Sequence, residues 1–133
     1  MASGFTYAAA QSLLTSKITK DTWVGLSSTT PTKTGSNFTE LNKSLGYKRA
    51  QLGAINTSKS GQVANNDIVF FFVALGDMGS ATHLGLFDSS STTTPFLVAE
   101  LQSPLTITEN YVPLIREKKL IIGLDVDTLD TNY

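Results

Sequence analysis

The chain has 133 residues, 41% hydrophobic and 16% charged, with ten basic and eleven acidic side chains for a formal charge of −1. That length suits one domain with a single core, the composition is that of a folded chain, and the near-even charge excludes the basic field that would gather nucleic acid. The absence of cysteine excludes a disulfide framework, a thiolate metal site and a thiol nucleophile, and fits synthesis in a cytoplasm.

The opening residues, Met1-Ala2-Ser3-Gly4-Phe5, have no cationic segment ahead of an apolar stretch. The longest apolar run, residues 68–75, is far below the roughly 20 residues of a membrane helix, so a soluble chain without a secretion signal is expected. Residues 5–18 predict a helix: Phe5, Ala9 and Leu13 fall at i, i+4 spacing, as do Ala10, Leu14 and Ile18, with Ser3 as N-cap and Lys17 at the carboxyl end. Its apolar stripe should pack on the chain's own sheet, the alternative being a neighbouring subunit.

From residue 22 the period changes. Trp23-Val24-Gly25-Leu26-Ser27 predicts a strand that stops before Pro31, and a long polar connection, 32–44, follows. Residues 46–52 alternate again, but Tyr47, Arg49 and Gln51 share one face and Lys48, Ala50 and Leu52 the other, so neither face is cleanly apolar. This predicts an edge strand, or one whose Tyr47 and Arg49 meet a polar partner. Residues 56–62 are expected to be a polar loop and Asn65-Asn66-Asp67 a turn into Ile68–Leu75, whose aromatic and branched side chains predict a buried central strand.

Ala81-Thr82-His83-Leu84-Gly85-Leu86-Phe87-Asp88 predicts the strand at the centre of the domain. His83, Gly85 and Phe87 lie on one face and Leu84 and Leu86 on the other, so both faces need cover. After a hydroxyl-rich loop, 89–94, two short strands are expected at 96–101 and 105–108, punctuated by Pro104 and Pro113. The last strand is the plainest: Leu120, Ile122, Leu124 and Val126 face one way and Lys119, Ile121, Gly123 and Asp125 the other. The tail, 127–133, has no period and is expected to be mobile or to clasp a neighbour. The fold expectation is mainly β: one antiparallel β-sandwich domain over residues 1–133, jelly-roll-like, with a short N-terminal helix.

Little in the chain points to catalysis or cofactors. His83 is the sole histidine, and Asp88 lies five residues on at opposite parity in a strand, a poor geometry for a relay. The expected role of His83 is a core or interface histidine whose nitrogens are satisfied by hydroxyl or backbone groups. Asp125, Asp127 and Asp130 do not match a calcium loop, because Leu129 takes its fifth place. The sequence holds neither a nucleophile elbow nor a phosphate loop, so the expectation is a non-enzyme with no catalytic residues, no metal and no cofactor, binding neither nucleic acid nor membrane.

The order of several motifs resembles a family of small tailed-phage virion proteins often labelled tail fibre proteins. The motifs are Val24-Gly25-Leu26-Ser27 with Pro31 behind it, Thr39-Glu40, Gly46-Tyr47 with Arg49, Asn65 leading to Ile68 and Phe70, and Thr82-His83-Leu84-Gly85-Leu86-Phe87-Asp88. The resemblance covers roughly residues 5–126 and implies a virion component made in the host cytoplasm. It departs from the family pattern at Met78-Gly79, where a tryptophan and glycine are common, and at residues 40–45, which replace a Glu-Pro-Gly-rich approach.

The chain has no heptad, collagen triplet or tandem repeat to build a shaft, so alone it is a knob, adaptor or decoration. The first expectation is therefore a capsid decoration protein, a homotrimer bound to the major capsid protein. The alternative is a tail-fibre or tail-tip knob that contacts other tail proteins or a host surface receptor.

Overall fold

A computed structural model describes residues 6–59 and 61–123. Thr6 caps the helix, its hydroxyl oxygen accepting the Ala9 N–H at 3.1 Å, so α1 spans Tyr7–Lys17. Ser3 and Phe5, placed at the helix start by the sequence pattern, lie outside the described residues. Of the two apolar rows one is used: Ala10, Leu14 and Ile18 are buried, while Leu13 is exposed.

Among the described residues nine strands follow: β1 Trp23–Ser27, β2 Ala50–Gln51, β3 Ile55–Asn56, β4 Gln62–Asn65, β5 Val69–Phe70, β6 Gly79–Phe87, β7 Leu97–Ile107, β8 Leu114–Ile115 and β9 Ile121–Gly123. They form an antiparallel β-sandwich with one N-terminal helix. The larger sheet has the order β2-β1-β6-β7, a second is β3-β4-β9, and β5 pairs with β8. Val24, Leu26, Leu84 and Leu86 project from the large sheet into a core that Val63, Val69, Phe71, Leu120 and Ile122 fill from the other side. The helix lies over β4 and β9, as the first reading of its stripe expects. Gln11 fastens it by accepting the Gly61 N–H and donating to the Gln62 carbonyl, both at 2.8 Å.

The sequence pattern locates β1 and β6 well. β6 is an inner strand between β1 and β7, and every residue from His83 to Phe87 is buried. The two strands expected at 96–101 and 105–108 are one, β7, with an interruption. Its ladder to β6 steps from Ala81–Leu105 to His83–Glu100, so residues 101–104 face the single residue Thr82. Pro104, with no N–H to donate, falls where the ladder has no bond to lose.

One expectation is corrected and two are redrawn in extent. Residues 68–75 are not a central strand: only Val69–Phe70 is extended in a ladder, and Phe70, Val73 and Leu75 face solvent. Apolar content alone does not distinguish a strand buried on both faces from an apolar ribbon with one open side. Residues 46–52 do give an edge strand of the large sheet, but only over Ala50–Gln51, because Tyr47 and Arg49 leave the ladder to meet a polar partner, Glu40. The polar loop expected at 56–62 joins the two strands of a hairpin, β3–β4, that the sequence pattern does not place, and the expected turn follows as a bend at Asn66-Asp67. Asn65 stays fully buried in the hairpin by donating to the Asp67 and Arg116 carbonyls and accepting the Leu120 N–H, all within 2.9 Å. In the last strand Leu120 and Ile122 are buried and Ile121 exposed, the expected alternation; Leu124, Val126 and the tail 127–133 lie outside the described residues.

Candidate functional site

Of the residues that carry the family resemblance, Gly25, Gly85, Phe87, Glu40, Tyr47 and Arg49 come together on the face of β1 and β6 that points away from the main core. Gly25 and Gly85 are cross-strand partners in the β1–β6 ladder, and between them they leave a floor without side chains. A Cβ on Gly25 would lie 2.9 Å from the Phe87 ring, 2.9 Å from the Tyr47 hydroxyl and 3.1 Å from Glu40 Oε1; one on Gly85 would lie 2.8 Å from the Phe38 ring. Glycine is required here for close approach rather than for backbone conformation. The 28–49 connection folds back over this floor, and Phe38 meets Phe87 edge-on at 5.4 Å between ring centres.

Glu40 is the hub of the covering segment. Arg49 holds both of its oxygens in a fork, Nε to Oε1 at 2.7 Å and Nη2 to Oε2 at 2.9 Å, while the Tyr47 hydroxyl donates to Oε1 at 2.7 Å. Tyr47 in turn accepts the Leu26 N–H from β1 at 3.1 Å. The third nitrogen of Arg49 donates to the Ser89 carbonyl at 3.1 Å, and the guanidinium stacks 3.6 Å above the centre of Phe87. Planar bidentate pairing and stacking together require arginine, since lysine offers a point charge with neither geometry.

Burial by itself would push the Glu40 carboxyl up, but the hydrogen bonds from Arg49 and Tyr47 and the charges of Arg49 and Lys43 outweigh it and hold the pKa below the usual glutamate value. Burial, then the bond to Glu40, pushes the Tyr47 phenol far above its ordinary value, so it stays a neutral donor. Ser27 pins the start of the same segment: its buried Oγ accepts the N–H groups of Thr29 and Thr39, and its backbone bridges Glu40.

The remaining motif residues support this arrangement from outside it. Val24 and Leu26 point into the main core. Gly46 ends a single 3-10 turn, Lys43–Leu45, in the left-handed region at φ +99°, and a Cβ there would sit 2.9 Å from the Val73 carbonyl oxygen. Asp88 pairs at 2.8 Å with Lys17 of α1, both half exposed. His83 is buried, with Nδ1 2.9 Å from the Thr82 hydroxyl and Nε2 3.7 Å from Glu100. Its second neighbour is thus a carboxylate on β7, where the sequence reading expects a hydroxyl or backbone group. Asp125, Asp127 and Asp130 lie outside the described residues.

Sequence reasoning places Tyr47 and Arg49 against a polar partner without assigning it to Glu40, and gives Phe38 no role. The available signal is one glutamate set among hydroxyl and amide residues, followed after seven and nine positions by the tyrosine and the arginine. Chemically the cluster is saturated. Both oxygens of Glu40, all three nitrogens of Arg49 and the Tyr47 hydroxyl are engaged within the chain, so it fastens two loops and leaves no base or nucleophile free. The loops it fastens, 28–44 and 89–94, also meet at Gly35, where a Cβ would lie 2.8 Å from Thr94. Among the described residues no helix is long and apolar enough to cross a membrane.

No curated protein matches the chain. The family described as podophage GP4 fiber I protein gp80 matches residues 12–123, a span that takes in α1 from Ser12 and every strand from β1 to β9. That span contains the glycine floor, the Glu40 hub and both loops, and the chain therefore belongs to the podophage GP4 fiber I protein gp80 family of phage fibre proteins.

Proposed function

We propose that the protein is a non-catalytic component of a phage tail fibre, a compact knob or adaptor that contacts other phage proteins or the host surface through loops 28–44 and 89–94. The observation that carries this reading is the fibre-family match across residues 12–123. It favours a fibre over capsid decoration, the first expectation from the sequence. The geometry is in keeping with it: Arg49 bridges the two loops through Glu40 and Ser89, which presents serine and threonine hydroxyls on one held surface. Such a surface hydrogen-bonds to polar partners with little ordering cost.

Immunogold labelling of intact virions tests the location. Gold on the tail fibres is expected, together with loss of adsorption when antibody covers the two loops; gold spread over the head would overturn the reading and restore capsid decoration.

A further inference from the structure

Residues 68–75 and 110–115 run antiparallel as a ribbon on the surface. Phe70 lies opposite Leu114 in the β5–β8 ladder. The pairing continues through Phe71 N–H to the Pro113 carbonyl at 3.1 Å, Ala74 N–H to Tyr111 at 2.9 Å and Asn110 N–H to Ala74 at 2.8 Å. The inner side of the ribbon, Val69, Phe71, Ala74 and Pro113, is buried. Exposed along the ribbon are Phe70, Val73 and Leu75 of one segment and Tyr111, Val112 and Leu114 of the other, each between 37% and 66% exposed.

Single exposed apolar residues need no explanation, but six within one short ribbon do. With side chains of roughly 100–250 Å², those fractions amount to on the order of 500–600 Å² of apolar surface. That is the upper end of what a monomer leaves in one patch, and most of the roughly 800 Å² that each partner brings to a standard interface. None of the six is charged, so placing the patch against itself brings no like charges together. The flanks add a direction. Asp77 and Glu109 lie beyond the Leu75 end, a balance of −2; Asp67, Arg116, Glu117, Lys118 and Lys119 surround the other end, three cations against two carboxylates, a balance of +1. A copy turned through a two-fold axis sets the acidic flank of one patch beside the basic flank of the other.

We propose that this ribbon is an interface, its outer face buried against the same face of a second copy of the chain. The inference rests on the open apolar face and its flanks, independently of the fibre reading. The test is the mass of the full chain by light scattering after gel filtration, over a range of micromolar concentrations, compared with the Phe70→Ser, Leu75→Ser double variant. Both positions are exposed, so the variant should fold, as far-UV circular dichroism checks. The wild type is expected to form pairs, and the variant to dissociate roughly a hundredfold more readily, the scale for truncating two large apolar anchors.

A wild type that stays single at every concentration overturns the proposal, as does a variant that pairs as well as the wild type. A single-copy wild type that gains binding of a hydrophobic dye only on truncation after Gly123 also overturns it, assigning the face to residues 124–133 instead.

Discussion

Replacing Glu40 by glutamine removes one charge and little volume, so it isolates the electrostatic share of the fastening cluster. The Arg49 side chain is 9% exposed and that of Glu40 20%. In the variant the guanidinium would keep its place over Phe87 with no counter-charge, and the new amide would turn a donor toward one of its N–H groups. Breaking a fully buried pair from one side costs about 3–5 kcal/mol; with Glu40 partly open and one oxygen retained, about 2–3 kcal/mol is expected here. At roughly 3–4 °C per kcal/mol for a chain of this length, the melting temperature should fall by about 6–12 °C at pH 7.

The pH dependence gives a sharper test. The folded pKa of Glu40 lies below 4.5, the value of the free side chain, so the unfolded chain takes up the proton first. The stability from the pair is complete above that value and is lost as pH falls through the folded pKa. Melting scans of both proteins from pH 7 to pH 3 should therefore converge on the acid side, because protonated glutamate and glutamine are near equivalents. A gap that stays constant over this range, or a gap under about 2 °C at pH 7, well below the magnitude expected for a paired charge, would refute the reasoning.

Two other substitutions probe the framework by urea titration. Gly25→Ala drives a methyl to within 2.9 Å of both Phe87 and the Tyr47 hydroxyl and should cost about 1–3 kcal/mol by overpacking; a neutral result would show that the covering segment is free to lift. Asn65→Ala strips partners from the Leu120 N–H and from the Asp67 and Arg116 carbonyls. It should cost about 2–4 kcal/mol and make the Leu120 amide exchange quickly with solvent, whereas an amide that stays protected would count against the hub.

What the sequence disclosed and what it withheld divide along a physical line. β1 and β6 are legible because Val24, Leu26, Leu84 and Leu86 alternate with the glycines and Phe87, and period two is a property of the strand itself. β3 and β4 are not, because Gln62 and Asn65 read as surface residues until Leu120 and Gln11, more than fifty positions away, supply their partners. The run 68–75 fails for the opposite reason: its composition is that of a core strand, and only its pairing with residues 110–115 shows which half faces out. The candidate site was half visible. Tyr47 and Arg49 stand out as polar residues in an apolar rhythm, but the residue they hold lies in a connection with no period, and connections are specified by tertiary contact rather than by local pattern.

The two sides of the large sheet differ in what they hold. On the core side Val24, Leu26, Leu84 and Leu86 pack against the second sheet. On the other side Gly25, Gly85, Phe87, Tyr47 and Arg49 form a bed on which a long polar segment is held by one glutamate, and none of these groups is left free for a partner. Gly25, Gly85, Phe87, Tyr47 and Arg49 therefore act as a fastening within the chain. Substitutions at the fastening residues should register in stability. Those at exposed hydroxyls such as Ser91 and Thr93 should leave stability within a few tenths of a kcal/mol and, on the proposed fibre reading, register in attachment. On the proposed fibre reading, the composition of the two loops can change without disturbing the bed beneath them.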